Sequence, residues 1–396
     1  MKKVYPVSYK LQKGMNEKLI LNIIRRDGPI SRADISKKTN LTPPTVTNVI
    51  NKLVEENLVL EDIMGESSGG RPPQLVRLNP EAFNIVVTHV SSNKLTGYLT
   101  DAYLKVSKKV VYDIERLEKQ KILDLMFEVI DELIKSASQE VPALGVVVHG
   151  PVKAREGVSV FAPNIGWRNV PIKKLVQERF KKPVCVENDV RAMGLGEFYY
   201  GSGKGVDNLV FLKIGYGIGS AIIFDGKIFR GISDSAGEFG HTTVDIGGPR
   251  CNCGNYGCLE ALSSENAIVK AVVKDLKAGR MSLVRELCDG NLEKVTPDHV
   301  YRAADRGDEL SLSVLQEAAR YLGIGIANII NSINPKVIVI GGGIIKARLH
   351  IEEIINKSVE ERALTNAYQS CDIVFSELGD IGTLKGAGNI VMDEIL

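Results

Sequence analysis

Between Gly237 and Glu260 the chain reads GEFGHTTVDIGGPRCNCGNYGCLE, and no other stretch limits the fold so tightly. Cys251, Cys253 and Cys258 stand at C-x-C-x4-C spacing, and His241 lies upstream of the first of them. Three thiolates and an imidazole are the donor set of a closed, tetrahedral zinc site. Three unrelated core thiols are the weaker reading, because buried cysteines rarely gather among Gly, Asn and Pro. A disulfide is disfavoured by compartment. MKKVYPVSYK lacks the apolar run of a signal peptide and no long uncharged apolar stretch follows, so a cytoplasmic protein with reduced thiols and no membrane partner is expected. The expectation is a structural zinc loop over 237–260, with the carboxylates Glu238 and Glu260 at its edges.

A chain of 396 residues, 44% apolar and 25% charged, has room for two or three globular domains. Its net charge of +2 hides an asymmetry. Residues 1–80 hold 13 Lys+Arg against 8 Asp+Glu, and the remainder 37 against 40. A basic head on a slightly acidic body suits a polyanionic partner.

The head carries local punctuation. Leu19, Ile20, Ile23 and Ile24 make a helical stripe within 16–26, ended by Asp27-Gly28-Pro29. Ser31 fits the N-cap of a second helix and Asn40 its exit. Thr42 is expected to cap a third helix, with Pro43 at its first position and Val46, Val49, Ile50, Leu53 and Val54 turned inward. Its opening turns offer Thr42, Thr45, Thr47, Asn48 and Asn51, short polar side chains able to reach base edges. The run ESSGGRPPQLVRLN reads as a hairpin whose tip presents Arg71 to a phosphate backbone or minor groove. Together these predict a winged helix-turn-helix over 1–78. A helical cap that binds nothing is the bland alternative.

From Ile85 onward strands alternate with helices, the signature of an α/β body. KKPVCVEND reads as a buried strand ending on Glu187-Asn188-Asp189, and VRAMGLGEFYYG as the helix that leaves it. NLVFLKIGYGIGSAIIFDG is a strand pair turned by glycines, and KVIVIGGGI a strand whose glycines admit close approach of a ligand to the backbone.

APNIGW at 162–167, VENDVRAMGLGE at 186–197, the GEFGH…CNCGNYGCLE stretch, NPKVIVIGGG at 334–343 and the GGRPP tip together resemble the ROK family of repressors, open reading frames and kinases. The resemblance spans the whole chain in the repressor arrangement, similar to xylose and N-acetylglucosamine repressors. It implies an actin-like, sugar-kinase-like (ribonuclease H-like) fold: a small lobe over 79–186 joined by the C-terminal helix 380–396, and a large lobe over 187–379 with the zinc loop. It further implies a sugar in the cleft, met by Asn164, Asn188, Asp189, Glu238, His241 and Glu260. Hydroxyls that both donate and accept need such carboxylates and amides. His241 would ligate zinc with one ring nitrogen and face sugar with the other.

In kinases of this family the residue at Asp189 is the general base toward the attacking hydroxyl. The phosphate loops depart from that pattern. Where kinases carry D-x-G-G-T-K, this chain has His89, Ser91, Ser92 and Asn93; where they carry G-T-G-x-G, it has Gly215, Tyr216 and Gly217. A Cβ in such a loop keeps backbone N–H groups away from phosphate, so ATP and magnesium are doubtful cofactors. The leading expectation is a sugar-responsive transcriptional regulator, a repressor of carbohydrate-utilisation genes, that binds operator DNA as a homodimer or higher homo-oligomer, with a monosaccharide or short oligosaccharide as effector. An ATP-dependent hexose or N-acetylglucosamine kinase, and a protein-binding scaffold, are the alternatives. His149 is left open between a structural role and a ligand contact. Cys185, Cys288 and Cys371 read as core or surface thiols, His299 and His350 as surface residues, and Trp167 as a wall residue of the cleft.

Overall fold

The computed structural model describes residues 9–65 and 72–396, so Arg71 lies outside the described residues. At the N-terminal end, α1 (Tyr9–Asp27), the short strand β1 (Ile30–Ser31), α2 (Arg32–Thr39) and α3 (Pro43–Glu55) are followed by β2 (Val59–Met64) and β3 (Gln74–Leu78). β3 pairs antiparallel with both β1 and β2, giving the small sheet of a winged helix-turn-helix. Ser31 caps α2 by accepting the Asp34 N–H, and Asn40 leaves it in the left-handed region at φ 55°.

Three local expectations need correction. Thr42 stands at the N-cap of α3 without a capping hydrogen bond; its hydroxyl instead meets that of Thr45 at 2.8 Å. Val54 is exposed, because it falls in the last turn and at the margin of the stripe formed by Val46, Val49, Ile50 and Leu53. In α1 Leu19 is exposed, and Leu21, two residues on, joins Ile20, Ile23 and Ile24 in the buried stripe.

The chain divides into two compact units: residues 1–148, 154–187 and 387–396 form the first, and 149–153 with 188–386 the second. Beyond the head, the first unit contains β4 (Ile85–Val90), β5 (Lys94–Thr100), β6 (Val106–Asp113), α4 (Lys119–Lys135) and β7 (Leu144–Val148). β4 and β5 are antiparallel, as are β5 and β6, whereas β4 and β7 are parallel. Ile122, Met126, Val129, Ile130 and Leu133 form the buried face of α4, each contributing on the order of 1.5–3 kcal/mol through removal from water. After the two-residue strand β8 (Val152–Lys153) of the second unit come β9 (Val158–Ala162), β10 (Trp167–Val170), α5 (Ile172–Phe180) and β11 (Val184–Asn188). Trp167 pairs with Ala162 across the β9–β10 hairpin and is fully buried. The head is tied to this unit's C-terminal helix by Arg25, which donates to Asp393 at 2.6 Å.

The second unit opens with α6 (Asp189–Tyr200), β12 (Leu209–Ile214), β13 (Ile218–Phe224) and β14 (Lys227–Ile228). A helical stretch follows: α7 (Leu259–Ser263), α8 (Glu265–Lys277), α9 (Val284–Leu287), α10 (Pro297–Ala304) and the long α11 (Glu309–Ile333). β15 (Val337–Gly341), α12 (Arg348–Glu360), α13 (Thr365–Gln369) and β16 (Asp372–Phe375) complete it. Strand order is β14-β13-β12-β15-β16, with β12, β15 and β16 parallel to one another. Leu315, Leu322, Ile326 and Ile330 of α11 belong to the core that also buries Leu212, Ile338 and Ile340 of the sheet. The last helix, α14 (Ile381–Ile395), has residues in both units, the division falling after Gly386. Among the described residues no helix is long and apolar enough to cross a membrane.

Candidate functional site

The zinc-type residues converge. His241 Nδ1, Cys251 Sγ, Cys253 Sγ and Cys258 Sγ offer ligand atoms that all lie within 4.8 Å of one another. Two of the edges, Cys251 Sγ to His241 Nδ1 and Cys253 Sγ to Cys258 Sγ, both measure 3.7 Å. A tetrahedron with metal–sulfur bonds of about 2.3 Å has edges of about 3.8 Å, so these two pairs already stand at the spacing a tetrahedral cation requires. Burial pushes the Cys258 thiol up to about 12 and raises Cys251 as well, while the Asn255 backbone N–H lowers Cys253. A bound cation is what would let all three stand as thiolates.

The loop's backbone is held independently of the side chains. Cys251 N–H donates to Asn255 O, Val244 N–H to Gly257 O, and Leu259 N–H to Thr242 O. Gly257 sits at φ 63°, and a Cβ there would be 1.5 Å from the Asp245 carbonyl oxygen. Gly257→Ala is therefore expected to cost at least about 2 kcal/mol and to leave the purified protein short of metal. Metal analysis beside a thermal melt checks this; full metal content with an unchanged melt contradicts it.

A second cluster surrounds Asp189. β11 ends at Asn188 and α6 begins at Asp189, so the carboxylate sits at the carboxyl end of a strand, where open α/β sheets place ligands. Asn188 is the N-cap: its Oδ1 accepts the Val190 and Arg191 N–H groups, while Nδ2 donates to Gly150 O and to Asp189 Oδ1. Both ends of this amide are thus engaged in positioning α6. Asp189 is buried, and Lys213 Nζ donates to its Oδ2 at 2.8 Å; His149 Nδ1 lies 3.6 Å from the same oxygen. Burial works against the Lys213 charge, but the Asp189 carboxylate outweighs it and holds the ammonium above its ordinary value. Lys213 escaped the reading of the sequence, although a charge inside the apolar run LVFLKI of β12 was the available signal.

The other expected residues fall as follows. Glu238 is exposed at the start of the turn containing His241, just after Gly237, whose carbonyl is held by the Ser220 hydroxyl. Glu260, on α7, accepts the Ile218 N–H at 2.9 Å and lies 3.9 Å from Cys251 Sγ, so it joins the metal loop to the glycine turn between β12 and β13. Asn164 belongs to the first unit, exposed on a short 3-10 turn.

In each phosphate-loop candidate some of the backbone groups are already engaged. At His89–Asn93 the chain makes a tight β4–β5 turn, where Ser91 N–H donates to Lys94 O and Lys94 N–H to Ser91 Oγ; Ser92 and Asn93 form its tip. At the second, Gly215 N–H donates to Gly217 O, and Tyr216 is exposed with its carbonyl held by the Asn266 amide.

In the head, Thr42, Asn48 and Asn51 are exposed, and Thr45 and Thr47 half-buried, on the opening turns of α3. Arg32, unremarked in the sequence, donates to Asn51 Oδ1, to Thr47 O and to both oxygens of Glu61, fixing this face against β2.

Comparison with known proteins agrees with this geometry. The ROK family matches residues 92–394, and a winged helix-turn-helix DNA-binding domain matches 16–59. The chain belongs to the ROK family. A xylose repressor from Caldicellulosiruptor bescii is 32% identical over 98% of each chain. A solved ROK family transcriptional regulator, a homologue of the Escherichia coli Mlc protein, superposes with a TM-score of 0.85 at 30% identity over 96% of each chain. A ROK glucokinase from Streptomyces griseus, solved with glucose and AMPPNP, superposes with a TM-score of 0.68 at 26% identity, covering 78% of this chain and 99% of its own. The relatives matched over nearly the whole chain include a xylose repressor and a transcriptional regulator, and with its DNA-binding head this chain stands in the repressor branch of the family.

Proposed function

We propose that this ROK repressor controls carbohydrate-utilisation genes and releases or changes its grip on operator DNA when a neutral sugar binds beside Asp189. The xylose repressors among its relatives make a pentose the first candidate, with hexoses and N-acetylglucosamine next. Asp189, Glu238, His241 and Glu260 would meet hydroxyls, with Asn188 in a supporting role. Zinc held by His241 and the three cysteines would brace His241 and Glu260 without taking part in chemistry.

The observation that carries the regulator over a kinase is the Lys213–Asp189 pair. A sugar kinase needs its carboxylate to take a proton from the attacking hydroxyl. A lysine beside a carboxylate favours the unprotonated form, weakening it as a proton acceptor. It leaves the carboxylate fully able to accept a hydrogen bond from a sugar, which is all a sensor requires.

The ligand can shift the DNA equilibrium only if it binds the two states with different affinity. Titrating operator binding with xylose, glucose and N-acetylglucosamine is expected to reveal one sugar that changes the operator Kd at least about tenfold, some 1.4 kcal/mol. Operator affinity is also expected to fall steeply with salt as Lys and Arg release counterions. The proposal fails if no sugar alters operator affinity. Sugar-dependent ADP release, lost in Asp189→Asn, would restore the kinase reading. A homodimer reading a palindromic operator follows from the usual geometry of such heads.

A further inference from the structure

Two glycine turns close the carboxyl ends of adjacent parallel strands in the second unit: Gly215–Gly217 after β12, and Gly341–Gly343 at the end of β15. Such strand ends are where an open α/β sheet takes its ligand, and glycines there let a ligand come close to the backbone. Here the space is already taken. A Cβ built on Gly343 would lie 2.0 Å from Glu265 Oε1, so the carboxylate rests directly over that backbone. The same residue's N–H donates to Gly215 O at 2.8 Å, bridging the two turns. Tyr301 donates its hydroxyl to Glu265 Oε1 at 3.0 Å, and both side chains are buried. From the other side Glu260 closes on Gly217, where a Cβ would be 2.6 Å from its Oε2. Tyr301 is also one wall of a pocket of about 450 Å³ lined by Arg302 and Lys346 and by Asp298 and Asp305, with Lys346 paired to Asp298 at 2.7 Å.

We propose that Glu265, held by Tyr301, is a built-in occupant of this notch, and that it excludes the phosphates of a nucleoside phosphate from the glycine turns. Exclusion is by shape: the carboxylate fills the volume over Gly343 that an incoming group would need. Altered loop glycines would weaken nucleotide binding passively, whereas this contact closes the notch with a specific, removable side chain. It makes no use of the sugar or of DNA, so it stands apart from the reading of the protein as a repressor.

Magnesium-ATP binding to the full chain, measured by calorimetry, tests the assignment. The unaltered protein is expected to give no saturable binding at millimolar nucleotide. Glu265→Gly is expected to gain at least about tenfold in affinity, Tyr301→Phe a smaller gain because the carboxylate is released but present, and Glu265→Gln none because the volume is kept. Binding by the unaltered protein, or no gain in a Glu265→Gly variant that melts normally, overturns the proposal. A gain in Glu265→Gln equal to that in Glu265→Gly overturns exclusion by shape. If Glu265→Gly does not fold, Tyr301→Phe decides alone, and absence of any gain there counts against the occupant. Sugar-dependent operator release is followed in the same variants and is expected to persist, so its loss or absence is read separately.

Discussion

Removing the metal, with a chelator or by Cys258→Ala, is expected to abolish the sugar response while operator binding survives. Cys258 is buried and immediately precedes α7, which carries Glu260. Cys251 lies within 3.7 Å of His241 and 3.9 Å of Glu260, so the loop that gathers the thiolates also sets two of the groups expected to meet the sugar. Treated as a cross-link over the loop, the metal contributes about 2–4 kcal/mol. For a unit of this size that corresponds to a fall in Tm of about 4–16 °C on its loss. The winged helix-turn-helix belongs to the other unit and supplies none of these four donors, so its operator affinity, measured without sugar, is expected to change by less than about threefold, ~0.7 kcal/mol. Parallel titrations of metal-loaded and metal-free protein with operator and sugar separate the outcomes. Loss of operator binding with sugar binding intact would place the metal's role elsewhere.

The second large effect concerns Asp189 and Lys213. Asp189→Asn leaves a partly buried ammonium facing a neutral amide, and Lys213→Met leaves the buried carboxylate to Asn188 and His149. Removing one partner of a buried pair costs about 3–5 kcal/mol. The Lys213 side chain keeps 30% of its exposure, so screening brings this to about 1–3 kcal/mol for each single substitution. The double substitution is expected to recover about 1–2 kcal/mol relative to the sum, measured by denaturant unfolding. The sign of the pH dependence follows from the raised Lys213 value. Its contribution is fully present below the ordinary lysine value of about 10.4 and is lost only as pH rises through the folded one. The cycle should therefore be flat, on account of Lys213, across the neutral range. Strict additivity at neutral pH would remove the pair as an energetic unit, and with it the argument against a catalytic base.

The elements that announced themselves in the sequence are those fixed by neighbours along the chain. Ser31, Asn40 and Pro43 mark helix ends because a cap is satisfied within three or four residues. The strand–helix joint at Asn188-Asp189 and the cysteine spacing were legible for the same reason. Thr42 misled because its hydroxyl found Thr45 within one turn, an equally local choice that residue type does not decide. What stayed hidden depends on register between distant segments. Lys213 reaches Asp189 only because β12 is placed beside the start of α6, and Arg32 meets Glu61 and Asn51 only once β2 folds back on α3. Glu265 gave no sign at all, since a glutamate at the first turn of a helix is an ordinary choice. Its role rests on Gly343 and Tyr301, both distant in sequence.

The helix α14 supplies residues up to Gly386 to one unit and from Ala387 onward to the other, and its Asp393 fastens Arg25 of the DNA-binding head. Protein synthesis runs from the N-terminus at about 5–20 residues per second, so Asp393 is made long after the Arg25 that it holds. A ribosome stalled before Ile381 would hold a chain in which neither unit has its full complement of residues. Completion of both units thus waits for α14 to be made, and a stop codon anywhere from Ile381 to Asp393 would leave a repressor whose head lacks this tether.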